Sequence, residues 1–269
     1  MTNPTTASYA FAPIDPAFEQ ARLRALEAAF DPTTHQWLQQ AGLAPGQTCL
    51  ELGPGAGSIA QWLSNAVTAT GRVVAIDRDP THWQEIQAPN LEKVITDLSQ
   101  WDWPIAQFDL IHARYVLVHI PQAITLLPQL WAALKPGGTL VLEEPDFSLA
   151  RFVHGPADME PAVQQVNRAI AAMFTQKGLD PAWALQMPAQ LAAANFSLES
   201  SQVEAHLCPG HAPIARLMEQ SAQVLAAQYL ATGEATPEAL DAYCAAAHNP
   251  KVWAIYYTTV RAIARRSPG

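Results

Sequence analysis

Short apolar runs separated by amphipathic stretches occupy the chain from residue 47 onward, in the segments QTCLEL, RVVAID, LEKVIT, FDLIHA and GTLVLEE. Runs of strand length alternating with helical segments predict parallel strands joined by helical crossovers. Positions 73–76 and 140–142 are apolar without interruption, so both faces of those strands are to be covered and the sheet lies centrally. A helix is predicted from Pro121 through Leu134. The Lys135-Pro136-Gly137-Gly138 sequence then reads as a stop and turn into the next strand.

Upstream, the first 14 residues are polar and proline-bearing and read as an arm with Tyr9 and Phe11 as anchors. Asp15-Pro16 and Asp31-Pro32 each place a capping carboxylate before a proline, which predicts two helices before the first strand. Leu23, Leu26 and Phe30 form an apolar stripe on the first, and Gly42 suits the end of the second. Beyond Pro145 the pattern turns helical near 157–177 and 183–194, alternates as a strand near 197–206, and is helical again over 212–248. KVWAIYYTTVRAIA, rich in β-branched and aromatic residues, is read as the last strand. A connection of some forty residues before it is too long for a hairpin loop, so with 155–180 it is expected to cap a substrate. The fold class is therefore α/β, a doubly wound, mostly parallel sheet of seven strands with N-terminal helices and a helical cap. Residues 1–46 form the arm and helices, 47–147 the ligand-binding core, and 148–269 the remaining sheet and the cap.

Charge narrows the partners. A formal net charge of −9 over 269 residues supplies no broad basic surface for nucleic acid. No apolar run approaches about 18 residues and no basic, then apolar leader opens the chain, so neither a membrane span nor a signal peptide is expected. Cys49, Cys208 and Cys244 are odd in number and far apart, which fits a reducing cytoplasm. The alanine-rich cap helices can also serve as a homodimer interface.

The chemistry concentrates in Glu51-Leu52-Gly53-Pro54-Gly55-Ala56-Gly57-Ser58, between a strand and a helix. Glycines allow a sharp turn and close approach of the backbone to a ligand. The second strand ends in Asp77, a carboxylate able to accept from both hydroxyls of a ribose. A dinucleotide fingerprint would need glycine or alanine at position 58, where Ser58 stands, and the pattern is GxGxG. Glu51 beside the loop would repel a pyrophosphate and attract an ammonium group.

On these segments the chain resembles the class I S-adenosylmethionine-dependent methyltransferases, of the small-molecule type common in bacterial biosynthetic pathways. ELGPGAG, AIDRDP, TDLSQW, FDLIHARYVLVHI and LKPGGTLVLEEPD resemble successive motifs of that family over residues 20–147. The resemblance implies a Rossmann-like sheet and S-adenosylmethionine as cofactor. Glu51, Gly53, Gly55 and Gly57 would surround its methionine part, Asp77 its ribose, and Asp97 with the backbone of Leu98 its adenine. Ala113 and Arg114 would pass the methionyl group. Arg78 stands where the family often has an apolar residue against adenine, and can stack there or face solvent. The fourth motif lacks the Asn/Asp-Pro-Pro-aromatic sequence that orients amino groups in DNA methylation. The resemblance implies methyl transfer to oxygen, nitrogen or carbon of a small, largely apolar metabolite by in-line displacement. The alternative is a non-methylating cyclisation or rearrangement using the same cofactor.

Such a displacement needs positioning more than acid or base. Where a proton must leave, Glu143 and His119 are the candidate bases. Glu143 and Glu144 lie at the carboxyl end of a strand, and either can instead bond to backbone amides. His119 precedes Pro121 and can simply brace a loop. His112 reads as a satisfied buried histidine. His154, His206, His211 and His248 belong to the cap, and Trp101 can border the adenine. The eight histidines show no metal-ligand spacing, so no metal is expected.

Overall fold

The computed structural model describes residues 15–267, so the arm with Tyr9 and Phe11 lies outside the described residues. Helix α1 (Pro16–Gln40) opens them. The Asp15 carboxylate accepts from the backbone N–H of Ala17 and Phe18, and Pro16 sits in the first turn. The two helices expected here are one, continuous through Pro32. The carboxylate that was to cap the second, Asp31, is engaged instead by the Arg114 guanidinium at 2.9 Å.

Strands β1 (Thr48–Leu52), β2 (Arg72–Asp77), β3 (Leu91–Ile95), β4 (Phe108–Arg114) and β5 (Leu134–Asp146) are joined in parallel in the order β3-β2-β1-β4-β5. Helix α2 (Ser58–Val67) links β1 to β2. The helix expected over 121–134 is shorter, α3 (Leu127–Ala133), preceded by two short 3-10 turns. Gln122 between those turns takes a left-handed conformation, which a helix cannot continue through, and Pro128 sits in the first turn of α3. The stop signal at 135–138 is absorbed into β5. Phe108 pairs Leu134 and Leu110 pairs Thr139, so the extra residues form an irregularity beside β4.

A short β6 (Arg151–His154) was not expected. Helices α4 (Glu160–Gln176) and α5 (Trp183–Ala193) lead to β7 (Phe196–Pro209), and α6 (Pro213–Val224), α7 (Ala226–Ala231) and α8 (Pro237–His248) to β8 (Trp253–Arg266). The last strand is thus where its β-branched and aromatic residues placed it. β7 covers one edge of β8 from Trp253 to Arg266, so β5 and β6 share the other edge, end to end. Among the described residues, eight strands therefore fill seven lanes, the last two antiparallel to their neighbours.

The strand period of two sorts the core. Leu50, Leu52, Ile111, Leu140 and Leu142 pack toward α3 and α5, while Cys49, Leu110, Val141 and Ile263 pack toward α1 and α2. A third apolar cluster joins α4, α6 and α8 to Phe30 of α1 and to Tyr256 and Tyr257 of β8. This cap rests on α1 and leaves a space over the carboxyl ends of β1, β2 and β4. Among the described residues no helix is long and apolar enough to cross a membrane.

Candidate active site

A cavity of about 470 Å³ occupies that space, walled by the β1–α2 loop, the ends of β2 and β4, α1 and the cap. Its wall brings together Glu51, Gly53, Gly55, Asp77, Arg78, Asp97, Leu98, Arg114 and His119. Gly57, Ala113 and Glu143 are outside it, as are Trp101 and the cap histidines His154, His206, His211 and His248. Trp101 packs edge-on against Trp103, with ring centroids 4.7 Å apart.

At the loop, the Gly53 N–H donates to the Ile76 carbonyl at 2.9 Å, which ties the turn to β2. The first N–H of α2, on Ser58, donates to Glu27 of α1 at 2.9 Å. A helix N-terminus is where a dinucleotide fold would hold pyrophosphate. Here Glu27 occupies it and Glu51 lies in the same wall, so the electrostatics disfavour a phosphate.

The carboxylates differ by environment. Burial pushes the Asp77 pKa up, although the Asp79 backbone N–H at 3.0 Å opposes this. Asp97 is held low by the Ser99 hydroxyl and backbone N–H, at 2.7 and 2.8 Å. Both line the cavity. Glu144 is fully buried and caps the turn at Leu117–His119, accepting from the N–H groups of Val116, Leu117 and Val118 at 2.9–3.2 Å; burial pushes it up to about 7. His119 in that turn stacks on Phe174 with centroids 6.2 Å apart, and burial pushes its imidazole down to about 3. Its ring is neutral and a poor proton acceptor.

Glu143 stands in a row beneath the wall. Since side chains alternate along a strand, Glu51, His112, Glu143 and Arg261 share the face of Cys49, Leu110, Val141 and Ile263, one step along it. His112 Nδ1 lies 2.7 Å from Glu51 Oε2 and its Nε2 lies 3.2 Å from Glu143 Oε1. The Arg261 Nε donates to Glu143 Oε2 at 2.6 Å, and another of its nitrogens donates to Glu204 of β7. The histidine is satisfied, as its place in an apolar strand implied.

Several wall residues carried no sequence signal. Glu19 and Arg22 form a two-toothed ion pair at 2.6 and 2.8 Å, buried on α1 and facing the cavity. Their spacing of three is visible in the sequence, but their burial is not. Tyr115, directly after β4, adopts a φ of 58° that turns its ring into the cavity wall. Its hydroxyl lies 2.6 Å from the Thr259 hydroxyl, itself 2.8 Å from His206 Nε2. Phe147, Phe174, Tyr229 and Tyr257 complete an aromatic end opposite the carboxylates. Among the described residues, no group of three or more His, Cys, Asp or Glu side chains is placed to hold a metal ion.

The sheet order, the glycine turn after β1, the acid ending β2 and the two-ended cavity define the class: the α/β fold of class I S-adenosylmethionine-dependent methyltransferases. The model for the methyltransferase domain family matches residues 19–200, and the chain belongs to that family. It is 24% identical to a methyltransferase of Strobilurus tenacellus over 231 residues, 82% of this chain and 80% of the relative. It is 32% identical over 119 residues to a trans-aconitate 2-methyltransferase of Methylobacterium radiotolerans, 44% of this chain and 45% of the relative. Other curated relatives are likewise matched over about half their own length. Among solved structures, the fold is similar to the cyclase SpnF, with a TM-score of 0.56 at 19% identity over 89% of this chain and 81% of that one.

Proposed function

We propose that the protein transfers a methyl group from S-adenosylmethionine to a small, neutral, largely apolar acceptor. The observation that carries this reading is the polarity of one cavity, with Glu51, Asp77 and Asp97 at one end and Tyr115, Phe147, Phe174, Tyr229 and Tyr257 at the other. The carboxylate end fits the cofactor: Glu51 for its ammonium group, Asp77 for the ribose hydroxyls and Asp97 for the adenine amino group. When bound, the cofactor supplies an electrophilic methyl group on a sulfonium. The chain supplies position and exclusion of water. Gly53 and Gly55 let the loop approach closely, α1 and the cap close the space, and the aromatic end holds the acceptor and favours a nearby cation. With both oxygens of Glu143 engaged in the row, it has no reach to an acceptor. His119, neutral and facing the cavity, orients the acceptor rather than taking its proton.

A polycarboxylate acceptor fits this wall poorly. Of its arginines, Arg22 is engaged by Glu19, Arg114 by Asp31 and Thr34 at 2.9 Å, and Arg78 stands near the carboxylates Asp77 and Asp97. An anion would have to displace these partners, which is why a neutral acceptor is favoured.

Calorimetric titration tests the cofactor: binding of S-adenosylmethionine with no binding of NAD is expected, and the reverse would overturn the reading. Product mass tests the reaction. One added methyl group with release of S-adenosylhomocysteine is expected, while an isomeric product of unchanged mass would identify a cyclisation or rearrangement. Asp77→Ala should weaken cofactor binding by about 1.5–3 kcal/mol, the usual range for a hydrogen bond to a charged group. Unchanged affinity in that variant would remove Asp77 from the ribose site.

A further inference from the structure

Glu51 is the most deeply placed acid of the cavity wall, with 2% of its surface exposed, yet its proposed task is to be an anion. A carboxylate taken out of water reverts to its neutral form unless a cation stands against it. The groups around it supply one. From β4 come His112 and Arg114; from β5 comes Glu143; Cys49 lies on its own strand. Helix α1 brings His35, whose pKa burial lowers, and Asp31 and Thr34, which already engage Arg114. Beyond Glu143, Arg261 of β8 and Glu204 of β7 continue the row. Among the described residues, it is His112 whose side chain is hydrogen-bonded to that of Glu51.

The ring of His112 has no exposed surface, and each of its nitrogens faces a carboxylate oxygen. Ionised carboxylates only accept, and a neutral imidazole donates through one nitrogen. With both carboxylates ionised, both contacts are hydrogen bonds only if the ring carries both protons; a neutral ring would need one of the two to be a carboxylic acid that donates to it. We propose that His112 is a positioning residue: clamped as an imidazolium between Glu51 and Glu143, it keeps the Glu51 carboxylate ionised and aimed at the ammonium group of the cofactor. This rests on the assignment of S-adenosylmethionine to the cavity. The electrostatics agree: burial alone would lower the His112 pKa, but the two carboxylates raise it to about 9, whereas burial pushes Glu51 up and His112 opposes that rise. Signs alternate along Glu51, His112, Glu143, Arg261 and Glu204, so the clamp is held from behind as well.

The test compares two ligands by calorimetry on wild type and His112→Asn. S-adenosylhomocysteine carries the ammonium group; 5′-methylthioadenosine keeps the nucleoside and thioether without the amino acid. Wild-type affinity for S-adenosylhomocysteine should be nearly flat from about pH 6 to 8, because His112 holds its proton throughout. In His112→Asn it should fall about 10- to 100-fold at pH 7 and recover as pH rises and Glu51 ionises, while methylthioadenosine affinity stays within about two-fold. Glu51→Gln should show the same selective loss without the recovery. Equal losses for both ligands, or unchanged binding of S-adenosylhomocysteine, would overturn the clamp alone. A wild-type protein that binds neither ligand would overturn the cofactor assignment with it. If His112→Asn fails to fold, ring nitrogen shifts of His112 in the wild type decide: two protonated nitrogens at pH 7 support the clamp and a neutral ring refutes it.

Discussion

Arg261→Met is expected to lower the free energy of unfolding by about 3–5 kcal/mol, the range for breaking a buried ion pair from one side. The methionine fills similar volume, so the loss is mainly electrostatic. It leaves Glu143, fully buried, with His112 as its one direct cationic partner, and releases Glu204 at the far end of the row. Urea denaturation reads the change as a lower midpoint at unchanged slope. The acid limb gives a second readout. Burial alone would raise the Glu143 pKa, but His112, Arg114 and Arg261 hold it down to about 2, below its ordinary value of 4.5. A depressed acid contributes stability that is present above its unfolded value and is lost as pH falls through the folded one. Wild-type stability should therefore drop between about pH 4.5 and 2, and this drop should be smaller in Arg261→Met. Equal stability of the two proteins at neutral pH would mean that the row contributes nothing to the fold.

Gly53→Val is the second large effect, and Gly55→Ala its control. Both glycines have left-handed φ angles, +60° and +63°. A Cβ on Gly53 would stand 2.5 Å from Cγ2 of Val116, a short side chain with little freedom to withdraw; on Gly55 the nearest atom is Leu23 Cδ2 at 3.6 Å. Backbone strain of about 1–3 kcal/mol applies to each. Overpacking adds about 1–3 kcal/mol at position 53, and a β-branched residue fits that conformation worst. Gly53→Val should lose both stability and S-adenosylhomocysteine binding, whereas Gly55→Ala should remain folded with a modest loss. Equal damage from both would mean that contact with Val116 does not set the shape of the loop.

The carboxylate end of the cavity was legible because its chemistry is local. A glycine turn, the acid before it and the acids closing β2 and following β3 are fixed within a few residues of strand ends, and strand ends are where apolar runs stop. The aromatic end was not legible. Tyr115, Phe147, Phe174 and Tyr229 come from the residue after β4, the segment after β5, α4 and α7, and their meeting depends on how the cap settles on α1. Arg22 and Glu19 look like a surface helix pair until that packing buries them. Glu143 shows the converse: its place at a strand end is readable, but which face it takes, and that His112 and Arg261 are waiting there, depends on register across three strands.

By itself, then, the sequence determined the alternation of strands and helices, the family and the carboxylates that line the cavity, because these follow from periodicity and short-range spacing. Tertiary structure decided the rest. Pro32 lies within one helix whose Asp31 is engaged by Arg114, residues 135–138 lie within β5 as an irregularity beside β4, and Glu143 lies outside the cavity wall, engaged by a histidine and an arginine from neighbouring strands. Each outcome turns on a partner distant in sequence, and contacts of that kind exist only once the sheet has its order and register.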